Sequence, residues 1–210
     1  MNNCFIILAA GESKRFHSKI PKAYHLYNGK SLVAHSIDKA KKCKKFNKII
    51  LVINKKHKKF IKKEKIKGID VIFGGKTRAE SSYKALKKIS KKNVKKVFIH
   101  DAARPNYSLN LIKNLFKGLK THKSVVPVIK TNDSVKFKNK NQIINLNRDS
   151  IYLTQTPQAF DFKELYKLQN NKSLKITDDV NLFISARKKV KFINGEVENK
   201  KNHTNFRYKK

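Results

Sequence analysis

The sequence predicts an α/β fold in which a mainly parallel sheet is covered by helices on both faces. Short apolar runs alternate with segments of helical periodicity from residue 4 to residue 129. The runs are almost continuously apolar, as strands buried on both faces are. The 210 residues, 39% of them apolar, suit one domain with a real core.

Cys4–Ala9 reads as the first buried strand. Ser31–Lys45 has helical spacing through Leu32, Val33, Ser36, Ile37 and Ala40. Lys48–Ile53 is a strand, Lys55–Lys65 a lysine-rich helix, Ile69–Phe73 a short strand and Thr77–Ile89 a helix. Val94–His100 is the next strand, followed by a helix over Leu109–Leu119 and a strand over Ser124–Ile129. After Lys130 the rhythm breaks. Ser134–Phe137 and Gln142–Leu146 read as two strands around the polar turn Lys138–Asn141, a hairpin in place of another strand–helix unit. Periodicity alone leaves open whether this is a surface loop or an arm that reaches a second subunit. Helices near Phe162–Leu168 and Asp178–Arg187 and a strand at Val190–Ile193 complete the pattern. Glu196–Lys210 is polar and without pattern. No internal repeat or linker divides the chain.

Lys and Arg number 51 against 14 Asp and Glu, a net charge of +37. A nucleic-acid partner is one reading of that excess. The lysines are scattered through every segment, however, and Asn and Ile are abundant too. All three residues have A/T-rich codons, so a low-GC genome accounts for the bias, and no specific nucleic acid is expected. Cys4 and Cys43 form neither a CxxC pair nor a zinc pattern, which predicts a reduced, cytoplasmic protein. The opening residues lack the basic start of a signal peptide and read as a strand. No stretch approaches the roughly 20 apolar residues that span a membrane.

Three pieces carry chemistry, each at a strand's end. The first is Leu8-Ala9-Ala10-Gly11-Glu12-Ser13-Lys14-Arg15, with Pro21-Lys22 after it. Small residues let the backbone approach a ligand, exposed N–H groups hold phosphate oxygens, and Arg15 and Lys22 add two cations. The second is Gly74-Gly75-Lys76-Thr77-Arg78-Ala79-Glu80-Ser81. Here Thr77 caps a helix, and Arg78 and Ser81 share one helical face. The third is His100-Asp101-Ala102-Ala103-Arg104-Pro105, where Asp101 is placed to hold phosphate-bound Mg²⁺. His100 reads as structural, and Arg104 either pairs with Asp101 or touches substrate. Ligands of open α/β sheets bind at this edge, so the pieces together suggest a nucleoside triphosphate site.

The motifs resemble those of the 2-C-methyl-D-erythritol 4-phosphate cytidylyltransferase family, in order from Leu8 to about Lys201. They comprise Ala-Ala-Gly…Arg at 9–15, Pro-Lys at 21–22, Gly-Gly-x-x-Arg-x-x-Ser at 74–81 and His-Asp-Ala-Ala-Arg-Pro at 100–105. Pro-Val…Thr at 127–131, Arg148, Gln-Thr-Pro-Gln-x-Phe at 155–160, Thr-Asp-Asp at 177–179 and Asn-x-Lys at 199–201 follow. The resemblance implies a Rossmann-like nucleotidyltransferase fold over residues 1–210, with a dimerisation β-arm at about 131–153. It implies that Ala9, Ala10, Gly11, Gly75, Arg78 and Ser81 bind CTP. Arg15, Lys22, Arg148 and Lys201 would be catalytic, and Asp101 would bind Mg²⁺ or another divalent cation. Asp101, Arg104, Thr131, Arg148, Thr156 and Thr177 would hold the sugar-alcohol phosphate. In the family Thr131 and Arg148 come from the partner's arm, which favours the arm reading and a homodimer.

The implied reaction suits these residue types. The acceptor's own phosphate is the nucleophile, already ionised near neutral pH. No general base is needed, so the lack of a Ser/His/Asp or Cys/His constellation is expected. Catalysis then consists of aligning two anions and neutralising charge. The chain departs from the family's pattern at Ser13, where a second glycine is usual, at Lys130, where aspartate is common, and after Lys201. Some relatives carry a fused cyclodiphosphate synthase, for which these residues leave no room. The rival readings are a ribitol 5-phosphate cytidylyltransferase, a non-catalytic relative and, more distantly, a basic nucleic-acid-binding protein.

Overall fold

The computed structural model describes residues 2–12, 18–64, 66–139, 142–170 and 177–201. Strand β1 (Asn3–Ala9) is buried along its length and lies at the centre of the main sheet. It pairs in parallel with β4 (Lys48–Ile53) on one side and β6 (Lys96–Asp101) on the other. Outside β4 lies β5 (Asp70–Phe73), again parallel. A two-residue pair, β2 (Leu26–Tyr27) with β3 (Lys30–Ser31), stands apart from this sheet.

Helix α1 (Leu32–Lys42) begins where Ser31 Oγ accepts the Ala34 N–H at 3.1 Å. Its buried residues Leu32, Val33, Ser36, Ile37 and Ala40 are the set whose spacing predicted it. The lysine-rich segment is a short turn followed by α2 (Lys58–Lys63) rather than one long helix. Helix α3 (Arg78–Ile89) is capped by Thr77 and α4 (Leu109–Gly118) by Ser108, each through the side-chain oxygen. Two apolar clusters, one around Phe5, Phe98 and Leu115 and one around Ile6, Ile50 and Leu86, divide the alternate positions along each central strand between them. That split is what helices on both faces require.

The second half departs further from the expected rhythm. β7 (Ser124–Lys130) is followed by β8 (Val135–Asn139) and β9 (Gln142–Leu146), which pair only with each other. The chain then returns to the main sheet as β10 (Tyr152–Thr154) and β11 (Gln158–Asp161), two strands that periodicity did not reveal. β11 lies between β6 and β7, antiparallel to both. It is short and begins with a glutamine, so no pattern of its own marks it. Tyr152 and Leu153, inside the expected arm, therefore belong to the main sheet, antiparallel to β7. Helices α5 (Phe162–Asn170) and α6 (Val180–Ser185) lead to β12 (Lys191–Asn194), parallel to β7. Among the described residues the main sheet thus holds eight strands, ordered β10-β7-β11-β6-β1-β4-β5 with β12 beside β7. Among the described residues no helix is long and apolar enough to cross a membrane.

Candidate active site

Parallel strands β1, β4, β5 and β6 all point their C-terminal ends at one edge of the sheet. The chain leaving each end lines a cavity of about 840 Å³. Ala9 ends β1 and Ala10, Gly11 and Glu12 follow it, Asn54 follows β4, and Gly74 to Thr77 follow β5. Asp101 ends β6, and Ala102 and Ala103 follow it. Lys22, Arg78, Ser81, Lys84 and Lys201 complete the wall, which is rich in cations. A cleft of this size with convergent cations suits a nucleotide.

The glycine pair is required by close approach. A Cβ on Gly74 would lie 2.6 Å from both Ala10 Cβ and Ser81 Oγ, and one on Gly75 would lie 2.5 Å from Glu80 Oε2. The turn is wired to its helix. Ser81 Oγ accepts the Gly75 N–H at 3.1 Å and donates to the Thr77 carbonyl at 2.9 Å. Glu80 Oε2 accepts the Lys76 N–H at 2.7 Å, and Thr77 Oγ1 accepts the Glu80 N–H at 3.1 Å. Side chains thereby satisfy backbone donors at the helix start.

Asp101 is the electrostatic centre. Its Oδ1 accepts from Arg78 Nε at 3.1 Å and its Oδ2 from Lys201 Nζ at 2.8 Å. Burial by itself would raise its pKa, but the Arg78 and Lys201 charges outweigh it and hold the carboxyl well below the usual range. Arg78 also donates Nη1 to Asp179 Oδ2 at 2.6 Å, while Ser82 Oγ donates to Asp179 Oδ1 at 2.6 Å. Burial disfavours the guanidinium's charge, yet Asp179 and Asp101 together raise its pKa. Among the described residues Arg78 Nη2 has no hydrogen-bond partner.

His100 lies behind this centre and is fully buried. Its Nε2 donates to the Arg104 carbonyl at 3.0 Å, so its Nδ1 accepts the Thr156 hydroxyl at 3.0 Å. Burial lowers the imidazole pKa to about 3, which agrees with a structural His100. Thr156 Oγ1 in turn accepts the Asp101 N–H at 3.0 Å. That hydroxyl fixes the backbone under Asp101 and is not on the cavity wall. Arg104 is also directed inward, donating to the Asn199 and Thr154 carbonyls at 2.8 and 3.2 Å.

Of the residues singled out from sequence, Ala9, Ala10, Gly11, Lys22, Gly75, Arg78, Ser81, Asp101 and Lys201 meet at the cavity. Arg104, Thr131, Thr156, Thr177 and Arg148 do not line it. Arg148 is exposed and donates Nη1 to the Asn132 carbonyl at 2.8 Å, Thr131 Oγ1 accepts the Asp133 N–H, and Thr177 Oγ1 accepts from Asn181 Nδ2. Arg15 and Ser13 lie outside the described residues. Asn54 and Lys84 were missed, and Asp179, quoted within the 177–179 motif, was given no role. Asn54 follows a strand end, the rule that found the other loops, whereas Asp179 reaches Arg78 only through the fold.

Known proteins share this chain's sequence pattern and fold. A profile of the 2-C-methyl-D-erythritol 4-phosphate cytidylyltransferase family matches residues 3–206. The bifunctional enzyme IspD/IspF of Pelagibacter ubique is 61% identical over 201 residues, covering 96% of this chain. The chain spans 54% of that relative's length. The 2-C-methyl-D-erythritol 4-phosphate cytidylyltransferase of Clostridium beijerinckii is 32% identical over 204 residues, 92% of this chain and 89% of that protein. Among solved structures, 4-diphosphocytidyl-2C-methyl-D-erythritol synthase from Anaerococcus prevotii superposes with a TM-score of 0.84 at 32% identity. The match covers 97% of this chain and 93% of that one. By profile, sequence and fold, the chain belongs to the 2-C-methyl-D-erythritol 4-phosphate cytidylyltransferase family.

Proposed function

We propose that the chain transfers CMP from CTP to 2-C-methyl-D-erythritol 4-phosphate, releasing pyrophosphate. The observation that carries this reading is the strand-end cavity of a member of that family, in which Gly75, Arg78 and Ser81 face Asp101 and Lys201. Ala9, Ala10, Gly11, Gly75, Arg78 and Ser81 bind CTP. Lys22 and Lys201, with Arg15 from the first loop, surround the triphosphate and balance charge on the attacked α-phosphate. The acceptor phosphate attacks in line, so alignment of two anions does the work of a base.

Asp101 offers one carboxylate, which suits a Mg²⁺ ion otherwise held by phosphate oxygens. Such an ion neutralises charge on the polyphosphate when bound. Lys201 Nζ lies 2.8 Å from Asp101 Oδ2, so an ion held by this carboxylate would share it with the lysine.

The hairpin supports a homodimer. In the β8–β9 register Val135 faces Leu146 and Phe137 faces Ile144, which gives one apolar face, and Phe137 and Ile144 are exposed. An isolated two-stranded hairpin is marginal in water, and covering that face by a second copy relieves it. Thr131 and Arg148 at its base would then complete the partner's acceptor site. The two free thiols fit a reduced cytoplasmic setting.

Product formation from CTP, Mg²⁺ and each acceptor in parallel tests the proposal. We expect turnover with 2-C-methyl-D-erythritol 4-phosphate and little with ribitol 5-phosphate. Equal or greater turnover with ribitol 5-phosphate would replace the acceptor, and no turnover with either would remove the reaction.

A further inference from the structure

Lys201 lies beyond the last strand, on a segment with neither helix nor strand to hold it. Arg104 holds the Asn199 carbonyl, the Ser108 N–H donates to Glu196 Oε2 at 2.9 Å, and between these contacts lies a set of buried amides. Gln155 uses both ends of its side chain on one residue of that segment. Its Nε2 donates to the Glu196 carbonyl at 2.7 Å, and its Oε1 accepts the Glu196 N–H at 3.0 Å. This copies the paired bonds of a strand ladder. Asn199 is completely buried and donates Nδ2 to the Thr156 carbonyl at 2.9 Å and to Gln155 Oε1 at 3.3 Å. Gly195 admits the close approach, since a Cβ there would stand 2.6 Å from Gln155 Oε1 and 3.0 Å from the Val128 carbonyl. Neither Gln155 nor Asn199 lines the cavity. Two residues after Asn199, Lys201 Nζ meets Asp101.

We propose that Gln155 and Asn199 are positioning residues: their amide clamp fixes the path of the chain that delivers Lys201 to Asp101. The proposal rests on the cytidylyl-transfer reading above. A buried amide that loses its partners is costly, so the clamp has one well-defined geometry. Lys201 inherits that geometry, and a shift of about 1 Å in a charge-neutralising group costs on the order of a hundredfold in rate.

The test is a double-mutant cycle on the full chain, with kcat, the KM for CTP and the melting temperature measured for each variant. Asn199→Ala should lower kcat roughly ten- to a hundredfold while the KM for CTP changes less than about threefold, because Gly75, Arg78 and Ser81 are untouched. In Asn199→Ala/Lys201→Ala the rate should match Lys201→Ala within about twofold, since the clamp acts through the lysine. Multiplying losses in the double variant would overturn the proposal, as would an unchanged kcat in Asn199→Ala. Should Asn199→Ala not fold, Gly195→Ala displaces the same segment and must show the same non-additivity with Lys201→Ala. An inactive wild type would overturn the reaction reading and this proposal with it. An active wild type with multiplying losses would overturn this proposal alone.

Discussion

Asp101 sits between Arg78 and Lys201 at 3.1 and 2.8 Å, and the sign of its pKa shift has a consequence for stability. Its carboxyl is held below the ordinary range, so the folded state releases this proton more readily than the unfolded state. The stabilisation is present above the unfolded carboxyl pKa of about 4 and is lost as pH falls through the lower folded value. Asp101→Asn should therefore flatten the acid limb of a plot of urea midpoint against pH, and an unchanged limb would contradict the assignment. Asp179 is the second anchor of Arg78 and is wholly buried. Asp179→Ala leaves Arg78 with one carboxylate and Ser82 without its acceptor. A loss on the order of 3 kcal/mol in chemical denaturation is expected. The sequence marked Arg78 and Asp101 as residues at strand ends. It could not mark their contact with Asp179, because a pairing across 101 positions is a property of the folded sheet.

Among the elements, the Gly74–Thr77 turn is the most constrained wall of the cavity. Gly75→Ala would drive a Cβ against Glu80 Oε2 and release the Lys76 N–H that this oxygen accepts. The KM for CTP should rise roughly tenfold with kcat changed less, as measured by steady-state kinetics. The hairpin is legible for a different reason: two alternating strands flank a polar turn, and both strands form. Its apolar face gives the next expectation. Phe137→Asp with Ile144→Asp should shift the chain from dimer to monomer in sedimentation velocity without lowering the melting temperature of the main sheet. An unchanged sedimentation coefficient would contradict the dimer proposal. β10 and β11 were not legible, because three- and four-residue strands set between longer ones take their pairing from β6 and β7 rather than from a pattern of their own. The long helix expected over Lys55–Lys65 breaks into a turn and α2, since Asn54 Oδ1 caps a turn there by accepting the Lys56 N–H at 2.9 Å.

For the whole molecule, the parallel order β6-β1-β4-β5 decides everything else, because it places four loops from distant parts of the sequence around one cavity. The strand–loop units were readable one at a time from apolar runs ending in small residues. Their convergence, and the return of the chain at Asn199 and Lys201 to the end of β6, required the topology. The net charge of +37 adds a diffuse attraction for anions. Substrate capture should therefore weaken with added salt, seen as a rising KM for CTP with a nearly constant kcat. The central claim is that this edge of the sheet is a CTP site whose chemistry runs through Lys201. A crystal structure with CTP and Mg²⁺ tests it most directly. The claim predicts a triphosphate between the Ala10–Gly11 backbone and Arg78, with Lys22 and Lys201 on its phosphates and Arg148 of a second copy at the mouth. Nucleotide bound elsewhere, or Lys201 turned away from the phosphates, would contradict it.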